Sequence, residues 1–65
     1  MINGMYEAIT LGVKDRNDKI LRGTFLEMAD YSFPDEHQKI FLDLKEHFES
    51  GDYAGMEEIL SSRQQ

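Results

Sequence analysis

Sixty-five residues, 40% hydrophobic and 31% charged, suffice for one small domain spanning residues 1–65, because two domains would each fall below the size that holds a core. The absence of cysteine excludes disulfides and thiolate metal sites, so a core of 23 large apolar side chains is expected to gain further stability from self-association or a protein partner. The net charge of −6 falls almost wholly on residues 34–65, which disfavours binding to a phosphate backbone and makes nucleic acid an unlikely partner.

No stretch approaches the roughly 20 apolar residues of a membrane span, and residues 1–7 lack a basic leader. A cysteine-free chain of this kind is expected to be cytoplasmic, with no membrane partner.

Ile2, Met5, Tyr6, Ile9 and Val13 recur at helical spacing and predict a first helix over residues 2–13, weakened at Gly4 and Gly12. The polar run Lys14-Asp15-Arg16-Asn17-Asp18 follows, in which Asp15 or Asn17 can cap a new helix. From Asp18 to Tyr31, the residues Ile20, Leu21, Thr24, Phe25 and Met28 fall on one face of a second helix. Its start offers the pairs Lys14–Asp18, Asp15–Lys19 and Asp18–Arg22 four residues apart.

Ser32-Phe33-Pro34-Asp35 marks a boundary: Ser32 can cap, Pro34 is tolerated in a first turn, and Asp35 and Glu36 favour the positive end of a helix dipole. The third helix is predicted to run to about Ser50 on the stripe Ile40, Phe41, Leu44 and Phe48, with Gly51 closing it in the left-handed conformation. Asp52 then caps a short fourth helix bearing Tyr53, Met56, Ile59 and Leu60, and residues 61–65 are expected to fray. The fold class is therefore all-α, a compact domain of three to four helices ending in a helical hairpin.

Met5-Tyr6, Phe25 ahead of Ser32, Phe33-Pro34 and then Gly51-Asp52-Tyr53 resemble the pattern of small bacterial YozE-like proteins. The resemblance implies a compact helical domain with a SAM-like arrangement and a bacterial or bacteriophage setting, and assigns no activity. The chain departs from that pattern in having Met5 where Phe is usual and no aromatic-rich helix after Met56.

Catalytic chemistry finds little support. His37 and His47 stand about 80° apart around one helix and roughly 15 Å apart along it, too far to share a metal. Asp43 lies four residues before His47 and can orient its imidazole, but no third group completes a set. Ser32, Ser50, Ser61 and Ser62 all fall at expected helix ends, where capping explains them, and a four-helix domain this small leaves little volume for a ligand pocket. The chain is read as a non-enzyme with no cofactor and no metal.

Three surfaces remain. Leu26, about 120–140° from Leu21, and Leu42, about 100° from Phe41, fall off their apolar stripes and are candidate contacts for a protein partner or a second copy. Asp35, Glu36, Asp43, Glu46, Glu49, Glu57 and Glu58 form a candidate acidic face, the basis of an alternative reading as a nucleic-acid-mimicking inhibitor of a nucleic-acid-binding protein. Lys14, Arg16, Lys19 and Arg22 form a candidate basic patch, diluted by Asp15 and Asp18. The leading reading is a small acidic helical interaction protein that docks on a partner or self-associates.

Overall fold

A computed structural model describes residues 2–63, over which the chain forms four helices: α1 (Ile2–Lys14), α2 (Asp18–Met28), α3 (Asp35–Glu49) and α4 (Tyr53–Arg63). No strand occurs among the described residues, and none of their helices is long and apolar enough to cross a membrane. The all-α expectation is met, with α3 packed on α4 as the terminal hairpin and α1 packed on both α2 and α4. Residues 61–63, expected to fray, instead continue α4; Gln64 and Gln65, the rest of that expected tail, lie outside the described residues.

One geometry closes both α1 and α3. At the end of α3, Gly51 has a φ of 74°. Its N–H donates to the Phe48 carbonyl at 3.0 Å and the Asp52 N–H donates to the His47 carbonyl at 2.8 Å. A left-handed residue thus satisfies the last carbonyls of the helix, as expected of Gly51. At the end of α1 the same pair of bonds runs from Arg16 to Val13 at 3.1 Å and from Asn17 to Gly12 at 2.8 Å, but the left-handed residue is Arg16, with a φ of 52°. A side chain in that region costs about 1–2 kcal/mol. Arg16 offsets the strain with its guanidinium, which donates to the Val13 carbonyl and to the Glu57 carboxylate, each at 3.0 Å, and lies 5.1 Å from the Tyr53 ring centroid.

Of the two anticipated caps for α2, Asn17 fills the position, its side-chain oxygen accepting the Ile20 N–H at 3.1 Å. The helix ends at Met28, short of the expected Tyr31. Pro34 holds the preceding Phe33 out of the helical region, and the connection stays irregular so that Phe33 can be buried with the Tyr31 ring stacked 6.2 Å away. Contrary to the expected role of Ser32 as a cap, Pro34 takes the N-cap position of α3 and makes no side-chain bond. The Gln38 carboxamide oxygen reaches back instead and accepts the Phe33 N–H at 3.2 Å.

The core gathers Met5, Tyr6, Ile9 and Val13 from α1, Leu21 and Phe25 from α2, Phe33, Phe41 and Leu44 around α3, and Met56 and Leu60 from α4. Ile20 departs from its expected stripe and is 38% exposed, although its Cγ2 lies beside Gly12 of α1 in the first turn of α2. Phe33 enters the core although it belongs to no helix. Its ring lies 5.6 Å from Phe41, Phe41 lies 5.5 Å from Phe25, and Phe25 lies 5.2 Å from Phe48. This aromatic ladder joins α2 to α3 and leaves a seam between them at the surface.

Candidate functional site

Both off-stripe leucines are exposed, Leu26 at 71% and Leu42 at 51%. Leu26 lines a hollow of about 100 Å³ in the α2–α3 seam together with Phe25, Ala29 and Phe48. Arg22 from α2 and Lys45 and Glu49 from α3 form its rim. Two of its lining residues, Phe25 and Phe48, belong to the ladder and stack on each other at 5.2 Å. Leu42 does not line the hollow; it lies one turn before Lys45 on α3. The two leucines therefore do not form one continuous pocket, although helical spacing sets Leu42 on the side of α3 that also carries Glu46 and Glu49.

The candidate charged sets are not separate surfaces. All seven acids of the proposed face are exposed, with Asp35, Glu36, Asp43, Glu46 and Glu49 on α3 and Glu57 and Glu58 on α4. Glu57 is bridged at 3.0 Å by Arg16, a member of the basic set, and Arg22 is bridged at 2.6 Å by Asp18. The other two anticipated pairs do not form, because Lys14 and Asp15 precede the turn through Arg16 and so do not share a helix with Asp18 and Lys19. The basic patch is thereby reduced to Lys14 and Lys19 as the members without an ion-pair partner among the described residues.

His47 is oriented by a different carboxylate from the one expected. Its Nδ1–H donates to Asp52 Oδ2 at 2.9 Å, whereas Asp43, one turn earlier on the same face of α3, is exposed and makes no bond to it. Asp52 Oδ1 accepts the Gly55 N–H at 2.9 Å, the N-cap bond anticipated for α4. A Cβ at Gly55 would collide with Asp52 Oδ2 and lie 2.7 Å from His47 Nδ1, so any larger residue there must displace this pair. Ser50 completes no catalytic set, since its hydroxyl donates to the His47 carbonyl at 3.1 Å.

The Gly55 N–H and then the His47 imidazole hold the Asp52 carboxyl below the ordinary aspartate value of 3.8. A carboxyl shifted down adds stability above its unfolded value that is lost as pH falls through the folded one. Asp52→Asn keeps an oxygen to cap Gly55 but removes the charge. It is expected to lower the melting temperature at neutral pH by a few degrees, and the gap to wild type should close only as pH falls below the ordinary aspartate value of 3.8. Thermal melts across that range check this; a gap that persists at low pH would show that packing, not charge, is responsible.

A second polar cluster escaped sequence reasoning, since its members lie on three helices far apart in the chain. The Glu36 carboxylate, 3.5 Å from His37 Nε2, favours a proton there, leaving Nδ1 to accept from the Tyr6 hydroxyl at 3.0 Å. The Arg63 guanidinium sits 3.6 Å from the Tyr6 ring centroid, and its buried Nε finds no hydrogen-bond partner among the described residues. Burial of the Tyr6 phenol raises it above the ordinary value of 10.0, opposed by the Arg63 charge and reinforced by Glu36. Beside this cluster, furrows of about 630 and 450 Å³ run between α1 and α4, sharing Thr10 and Lys14. Both furrows are open to solvent along their length, so they are surface grooves and not enclosed pockets.

Comparison of the chain with family models, with curated proteins and with solved structures gives no match.

Proposed function

We propose that the chain is a non-enzymatic interaction protein that acts by docking its α2–α3 seam on another protein surface. The observation that carries this reading is Leu26, 71% exposed beside an unfilled hollow walled by Phe25 and Phe48. An aliphatic side chain held in water beside aromatic walls offers apolar area that a partner removes from solvent. The arrangement of His47, Asp52 and Ser50 also supports a non-enzymatic reading, because each serves a helix end. A cytoplasmic setting in a bacterium or bacteriophage is supported by the cysteine-free sequence and by the YozE-like resemblance.

The second reading, an acidic mimic of nucleic acid, is favoured by the exposure of Asp35, Asp43, Glu46 and Glu49 along α3. Salt separates the two, since charge attraction is screened and apolar docking is not. With the full chain and Leu26→Glu as parallel baits, a protein captured from source lysate is expected to survive a high-salt wash on wild type and to be lost on the variant. A protein released by salt and retained equally by both baits would overturn docking through the seam in favour of the mimic.

A further inference from the structure

We infer that the α2–α3 seam is a self-complementary interface, and that its occupant is the same seam of a second copy related by a two-fold axis, Leu26 of each copy entering the hollow of the other. This inference rests on the seam being a docking face and adds what docks there.

A two-fold interface sets a patch against itself, so the patch must carry the complement of each of its own features. The seam does so in shape: Leu26 is the knob, and the hollow beside it, about 100 Å³, is of the order of one aliphatic side chain. It does so in charge as well, with Arg22 and Lys45 on the same rim as Glu49. Arg22 is held by Asp18 within its own helix, whereas Lys45 and Glu49 form no ion pair among the described residues and are free to meet their counterparts.

Net charge narrows the choice of face. Two chains of charge −6 repel, so copies approach most easily where the local balance is not acidic. At the hollow Arg22 is balanced by Asp18 and Lys45 stands against Glu49, so these charges cancel, while the acids at 35, 36, 43, 46, 57 and 58 lie outside the hollow's lining. Gly23, one turn before Leu26, has open space where a Cβ would stand, which lets α2 of one copy cross closely over α2 of the other.

Sedimentation equilibrium on the full chain, from micromolar to millimolar concentration, tests the inference alongside circular dichroism. Wild type is expected to approach twice the 7.6 kDa chain mass. Leu26→Glu and Gly23→Lys should remain monomeric with unchanged helicity, and Glu49→Lys, which leaves the rim with one sign, should weaken association at least tenfold. Leu11→Glu, on α1 and 53% exposed, should dimerise as wild type does. A wild-type chain that stays monomeric throughout, or a dimer that Leu26→Glu leaves intact, overturns the inference. Should the chain be monomeric while Leu26→Glu still abolishes capture of a lysate protein, the docking face stands and the second copy falls. Should Leu26→Glu split a dimer without affecting capture, the two-fold interface stands and docking of other proteins through the seam falls.

Discussion

Phe41→Ala is expected to leave a large fraction of the chain unfolded at room temperature. Phe41 is 2% exposed and stands in the middle of the ladder, with Phe33 on one side at 5.6 Å and Phe25 on the other at 5.5 Å. Truncating a buried Phe costs about 3–5 kcal/mol, whereas a domain of this length is stable by only about 3–10 kcal/mol. The loss is concentrated because these rings bridge α2 to α3, two helices that otherwise meet through α1 and α4. Tyr31→Ala provides the contrast at the exposed end of the same ladder, where the ring stacks on Phe33 at 6.2 Å, and should shift the urea midpoint only slightly. Urea titration followed by far-ultraviolet circular dichroism measures both; a Phe41→Ala midpoint close to wild type would mean that the ladder does not hold α2 to α3.

That ladder also marks where sequence reading stops. Helices were legible because their apolar residues repeat at a helical period and because Asn17, Gly51 and Asp52 are residues whose side chains or backbone suit helix ends. Two local features gave no such signal. Arg16 is not a residue expected in a left-handed turn, and two of the contacts that compensate it, with Glu57 and the Tyr53 ring, come from far along the chain. Phe33 sits next to a proline in an irregular connection, and its burial depends on rings from α2 and α3 converging on it. Helical periodicity also places Leu26 and Leu42 off their stripes, and their exposure follows from that placement. What periodicity cannot supply is the hollow beside Leu26, because its lining joins residues of α2 to residues of α3 that are about twenty positions apart in the chain. The same limit applies to His47: Asp43 is its neighbour on one helix, but Asp52, beyond the turn, is brought back by the left-handed Gly51.

The substitution of glycine by alanine should change sign along α1. Gly4 has open space around a built Cβ, so Gly4→Ala gains helix propensity without a clash and is expected to stabilise by about 0.5–1 kcal/mol. At Gly12 the same Cβ lies 2.7 Å from both Cγ and Cδ2 of Leu21, with Ile20 Cγ2 at 3.4 Å. Leu21 is fully buried, and its branch point, not merely its tip, is in the way. Moving it disturbs the α1–α2 crossing, at about 1–3 kcal/mol for overpacking of this kind. The propensity gain of about 1 kcal/mol offsets only part of that. Gly12→Val adds two methyl groups at the same point together with a β-branched penalty, and is expected to be the most destabilising change on α1, unfolding much of the chain. Shortening the opposing side chain should relieve the clash, so Leu21→Ala combined with Gly12→Val should be less destabilised than the two single changes added together. Equal melting shifts for Gly4→Ala and Gly12→Ala, or strict additivity in that cycle, would show that α1 and α2 do not approach through Gly12 and Leu21.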